Sequence, residues 1–130
     1  MIATTIGQSK HLLELGLDPN SANMYYPYLG AGQYGDTPRV GFPIEYSGGR
    51  DIPAWSLSAL LEVMPNNDYW EICLWQYKDQ RWQCVFDDVE FSNGETKAFV
   101  ADTPIDAAYE MLCWLLENNL IKKGGQDERD

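Results

Sequence analysis

Two runs rich in aromatic and β-branched residues, Tyr69 to Tyr77 and Arg81 to Phe91, flank the polar triplet Lys78-Asp79-Gln80, and no other feature restricts the fold of this chain as much. Such runs suit a pleated, half-buried surface, and a three-residue polar connection suits an antiparallel hairpin. With that loop Gln76 opposes Trp82, Leu74 opposes Cys84 and Ile72 opposes Phe86, which gathers Trp70, Ile72, Leu74, Trp82, Cys84 and Phe86 on one face. That face is the expected core. The other carries Glu71, Cys73, Trp75 and Tyr77 opposite Asp87, Val85, Gln83 and Arg81, a mixed surface neither dry nor freely solvated. A slip of one residue would mix the two sets, so this register is expected.

Asn93-Gly94 tolerates the positive φ of a type I′ turn and predicts a third strand over Thr96–Val100, with Glu90 opposite Lys97. The apolar alternation changes phase between Phe86 and Val89, which predicts a bulge near Asp87-Asp88. Helices are expected on either side of this sheet in sequence. Ser56 is a good N-cap, and Leu57, Leu60, Leu61 and Met64 fall on one helical face before Pro65 and the turn cluster Asn66-Asn67-Asp68. Thr103 as N-cap, Pro104 at the first helical position and Asp106 in the first turn open a second helix, whose apolar stripe runs from Ile105 through Leu112 and Leu116 to Leu120. Lys122 and Lys123 suit its C-terminal end, and the residues after them read as a flexible polar tail.

Nearer the N-terminus, Thr5 and Gln8 form a capping box, and a helix from Ile6 to about Leu15 ends at Gly16, with Leu17 placed to fold back on Leu12. Residues 20–52 then hold five of the eight tyrosines (Tyr25, Tyr26, Tyr28, Tyr34, Tyr46) with six glycines and three prolines, and neither structural period survives more than a few residues. This predicts one long irregular segment. So many tyrosines argue against disorder; they serve either as cover for a sheet face or as an adaptable binding surface.

The expected fold is α+β: an antiparallel sheet of three or more strands with helices packed on one face, in the order helix-strand-strand-strand-helix, preceded by an N-terminal helix and the Tyr/Gly-rich segment, which should lie over the other face or a sheet edge. Residues 1–123 are expected to form one domain and residues 124–130 the tail.

Charge narrows the function classes. Nine basic residues stand against twenty acidic ones, a net of −11, so nucleic-acid phosphate and anionic membranes should repel the chain. The order of elements from Leu57 to Leu120 resembles that of the double-stranded-RNA-binding domain, but nine acids against Lys78, Arg81 and Lys97 between Pro53 and Thr103 deny it the basic footprint duplex RNA needs. No apolar run approaches the ~20 residues of a membrane span. The first residues lack a secretory signal, and Cys73, Cys84 and Cys113 form no Cys-x-x-Cys pair. A cytoplasmic protein with buried thiols is expected, with a Cys73–Cys84 bridge as the alternative.

Motifs for chemistry are sparse. Gly30-Ala31-Gly32-Gln33-Tyr34-Gly35 matches G-x-G-x-x-G, with Asp51 where a ribose-binding acid would sit, but Tyr25-Tyr26-Pro27-Tyr28 before it and Asp36-Thr37-Pro38 after it do not give the required strand and helix. His11, the only histidine, reads as a surface residue of the first helix, far in sequence from any nucleophile. No cofactor is expected.

Three stretches carry a resemblance: Gln8-Ser9 with Gly16-Leu17-Asp18-Pro19 and Ala22-Asn23-Met24, then Pro53-Ala54-Trp55-Ser56-Leu57-Ser58-Ala59-Leu60-Leu61-Glu62, and Pro104-Ile105-Asp106-Ala107-Ala108-Tyr109-Glu110-Met111. They resemble a family of small uncharacterised proteins encoded by bacterial phage-like and other mobile elements, which implies a cytoplasmic accessory protein and assigns no functional residue.

The sequence therefore favours a non-enzymatic interaction protein that binds a protein partner or itself through Tyr25, Tyr26, Tyr28, Tyr34, Tyr46, Trp75 and Tyr77. Two alternatives stand beside it. A mimic of nucleic acid would use the net charge to occupy a basic groove, and a metal-dependent hydrolase would use Asp87, Asp88 and Glu71 as oxygen ligands.

Overall fold

A computed structural model describes residues 1–41, 50–65, 70–88 and 96–121. Thr5 caps the first helix, α1 (Ile6–Glu14), and both bonds of the capping box form: Gln8 N–H donates to Thr5 Oγ1 at 3.1 Å and Thr5 N–H to Gln8 Oε1 at 3.0 Å. At the other end Gly16 takes a φ of 101°, and the amides of Gly16 and Leu17 bond to the carbonyls of Leu13 and Leu12. This is the expected stop. A 3₁₀ turn over Pro19–Ser21 follows, capped by Asp18.

The described part of the stretch expected to be irregular is not irregular throughout. It holds four very short strands, β1 (Met24–Tyr26), β2 (Tyr28–Gly30), β3 (Gln33–Tyr34) and β4 (Arg39–Val40), and a fifth, β5 (Ile52–Ala54), follows it. β1 lies between β4 and β5, antiparallel to both, and β2 pairs with β3 as a separate hairpin. Strands of two or three residues show no period, which is why the sequence conceals them. Ala31 and Gly32, with φ of 53° and 76°, make the two-residue turn between β2 and β3, so the glycine motif is hairpin chemistry. Asp51 accepts the amide of Tyr28 at 2.9 Å, tying that hairpin to the start of β5.

Ser56 caps the short helix α2 (Leu57–Glu62) through the amide of Ala59. The larger sheet has the order β6 (Trp70–Gln76), β7 (Trp82–Asp88), β8 (Thr96–Ala101), antiparallel throughout. Its first pairing has the expected register: Gln76 opposes Trp82, Leu74 opposes Cys84 and Ile72 opposes Phe86. Gln80, at φ 75°, closes the three-residue loop. The second pairing differs from expectation. Lys97 opposes Phe86 rather than Glu90, and the ladder runs through Asp87 opposite Thr96 with no bulge. This register sets Phe99, a partly buried ring, against Cys84 on the helix side. Asn93-Gly94, Glu90, Asn66-Asn67-Asp68, Tyr46, Lys122, Lys123 and the tail lie outside the described residues, as do the side chains of Trp70 and Asp88.

The last helix, α3 (Pro104–Glu117), begins at the expected cap, with Asp106 N–H donating to Thr103 Oγ1 at 3.0 Å. It stops short of Leu120 because Asn119 turns left-handed at φ 56°, letting the amides of Asn119 and Leu120 reach the carbonyls of Leu116 and Leu115.

The fold is α+β with two apolar clusters. The larger joins α1, α2 and α3 to the inner face of the β6–β8 sheet, around Leu12, Trp55, Leu60, Cys84, Phe86, Met111 and Leu112. The smaller gathers Ala3, Met24, Tyr26, Ile52 and Ala54. Between them sits Thr4, fully buried, whose hydroxyl bonds Ser9 Oγ at 2.8 Å and accepts Trp55 N–H at 3.1 Å, while its carbonyl accepts Tyr26 Oη–H at 2.9 Å. The described short strands pack into a cluster of their own; of the two places expected for the Tyr/Gly segment, the second face of the large sheet or a sheet edge, the second face is left exposed at Trp75 and Val100.

Candidate functional site

Alternation along three paired strands sends every second residue of the large sheet away from α3. The outward rows follow from the register: Trp75 beside Gln83 and Val100, Cys73 beside Val85 and Ala98, and Glu71 beside Asp87 and Thr96. Tyr77 extends the first column past the end of β6, where its amide bonds to the carbonyl of Arg81. Trp75 is 51 % exposed, Val100 39 % and Tyr77 38 %. Apolar side chains of Trp75, Val100 and Tyr77 are thus exposed toward one end of this face, next to the Val85 and Ala98 row.

The polar groups around these side chains are held in place. Tyr77 Oη donates to Gln83 Oε1 at 2.9 Å, and the Arg81 guanidinium stands 5.3 Å from the Tyr77 ring centroid while its Nε bonds Asp79 Oδ2 at 2.8 Å. Two bonds from Arg81, through its amide first and its side chain second, hold the Asp79 carboxyl below its ordinary range. At the opposite end Thr96 Oγ1 donates to Asp87 Oδ1 at 3.2 Å, and the Cys73 thiol donates to Glu71 Oε1 at 3.3 Å. That bond, followed by slight burial and the charges of Glu71 and Asp87, pushes the Cys73 thiol up. No described cation pairs with Glu71 or Asp87. The Trp75 indole makes no hydrogen bond or ring contact with any described residue.

The other residues singled out from the sequence fall elsewhere. Tyr26 is buried in the smaller cluster, with its hydroxyl bonded to Thr4 and its pKa raised by burial, so no face of it is offered to a partner. Tyr25 sits mid-strand between Pro53 and Arg39. Tyr28 and Tyr34 are register partners across the β2–β3 hairpin, their rings edge-on at 5.3 Å, with Arg50 over the first and Lys10 over the second. These rings stiffen the hairpin. Val100 was not among the sequence candidates, and the signal was present in the alternation of Thr96, Ala98 and Val100; only the four-residue difference in register brings it beside Trp75.

Two chemical arrangements were also weighed. Glu71 and Asp87 do face each other across β6 and β7, but among the described residues no group of three or more His, Cys, Asp or Glu is placed to hold a metal ion. The bulge that would re-aim neighbouring acids is absent from the ladder at Asp87. His11 and Cys113, distant in sequence, line one groove of about 350 Å³ between α1, α3 and β8, with the His11 ring edge-on to Tyr109 at 6.4 Å. Burial pushes the Cys113 thiol up to about 11 and raises Tyr109 as well, which is opposite to what an activated nucleophile needs. All three cysteines are free, and Cys73 and Cys84 occupy opposite faces of the sheet. Among the described residues no helix is long and apolar enough to cross a membrane.

The chain matches no protein-family model, no curated protein and no solved structure.

Proposed function

We propose that this protein is a non-enzymatic binding module that contacts a protein partner through the outer face of the β6–β8 sheet. One observation carries this: Trp75, the largest side chain on that face, is half exposed and has no partner among the described residues. An exposed tryptophan on an apolar patch is a residue type that often dominates binding energy once water is excluded. The surrounding bonds of Tyr77, Gln83 and Arg81 fix the patch in one arrangement, which lowers the entropy lost on association. An accessory role in the cytoplasm, as the resemblance implies, suits such a module.

The test separates folding from contact. Trp75→Ser should leave the urea-unfolding free energy within about 0.5 kcal/mol of the parent, as exposed positions do. A photo-crosslinking residue at Val100 should give discrete adducts in cells that Trp75→Ser removes. Loss of about 2 kcal/mol or more in the variant, or adducts indifferent to it, would show that Trp75 serves the fold and not a partner.

A further inference from the structure

We infer that the element this face receives is a single amphipathic helix carrying basic residues at one end; this rests on the function proposed above. Dimensions come first. Three strands at about 4.8 Å spacing are about 14 Å wide, and seven residues at about 3.4 Å make about 24 Å of length. The inner face of the same sheet is covered by α3, whose 14 residues span about 21 Å at 1.5 Å each. The vacant outer face is therefore one helix long and about one helix wide. A second copy of the chain fits poorly, because each copy carries −11 and like charges oppose self-association.

Charge fixes the orientation. Glu71 and Asp87 are directly opposed on neighbouring strands, a repulsive arrangement, and among the described side chains Thr96 and Cys73 donate to them. A Lys or Arg of the incoming helix placed at that end relieves the repulsion. At the other end Asp79 is already neutralised by Arg81. The apolar contacts of the incoming helix, at i, i+3, i+4 and i+7, then lie over Trp75, Val85 and Val100.

The probe is a synthetic 18-residue peptide with leucines at that spacing and lysines in its terminal turns, compared with the same peptide carrying glutamates. The lysine peptide is expected to bind the parent at least tenfold more tightly than it binds Trp75→Ser or the double variant Glu71→Lys, Asp87→Lys. That double variant should accept the glutamate peptide instead. Equal binding to parent and Trp75→Ser would mean general attraction to an acidic protein and overturn the inference, as would no binding at all. Sedimentation should find a monomer; a dimer dissolved by Trp75→Ser would assign the face to a second copy. If Val100 adducts form in cells while the lysine peptide fails, the binding module survives and only the basic helix falls.

Discussion

At Cys73 two carboxylates govern a thiol, and the sign of their effect can be measured. Glu71 accepts its hydrogen bond and, with Asp87, raises its pKa, so Glu71→Gln should speed alkylation of Cys73 by iodoacetamide several-fold at pH 8, resolved by peptide mass. An unchanged rate would mean that the bond is not kept in solution. Cys84 should stay unlabelled in the folded chain, because burial pushes its thiol up to about 12. The same burial links stability to alkaline pH. Cys84 and Cys113 keep their protons when folded over a range in which the unfolded chain, with thiols near 9.0, gives them up. The unfolded state then binds fewer protons, so stability falls as pH rises from about 9 towards 11; a urea midpoint at pH 10.5 equal to that at pH 8 would contradict this. Thr4 is fully buried between the two clusters, and Thr4→Val leaves the Trp55 amide and the Ser9 hydroxyl without their buried partner. A loss of about 1–3 kcal/mol in urea unfolding is expected.

Element by element, the turn residues decide what holds. Ala31 sits at φ 53° in the β2–β3 turn, a conformation that costs a residue with a Cβ, so Ala31→Gly should stabilise the protein by about 0.5–1 kcal/mol, read as a higher urea midpoint. A destabilisation would place the hairpin's strength in the Tyr28–Tyr34 pair rather than in the turn. The contrast between this hairpin and the β6–β7 hairpin explains what a reader of the sequence can and cannot see. The β6–β7 register was legible because a three-residue loop and six alternating apolar residues agree on one pairing. The helix starts were legible because Thr5, Ser56 and Thr103 act within three residues of themselves. β1 to β5 were not, since their pairing depends on distant groups such as Asp51 at the Tyr28 amide. The β7–β8 register was less legible for a related reason: Asn93-Gly94 is a local signal, whereas the pairing of Phe99 with Cys84 joins residues distant in sequence. The candidate site was half legible. Trp75 and Tyr77 were on the expected outer face, but that the face stays open became visible only once the tyrosine segment was seen to pack into its own cluster.

For the molecule as a whole, the net charge of −11 acts on folding and on binding with opposite signs, and salt separates the two. Self-repulsion among surplus carboxylates opposes the compact state, and it weakens as the screening length drops from about 30 Å at 0.01 M to about 8 Å at 0.15 M. Attraction lost to the same screening is small, because among the described residues the ion pair is Arg81 with Asp79, both about half exposed. Raising NaCl from 10 to 150 mM should therefore increase the melting temperature by a few degrees, on the order of 1 kcal/mol for a chain of this size. A basic helix at Glu71 and Asp87 responds the other way, since its approach draws on the same field that salt removes. Calorimetric scans and peptide titrations over one salt series should thus diverge, the fold strengthening while the lysine peptide weakens. Parallel decline of both would mean that native ion pairs outweigh repulsion.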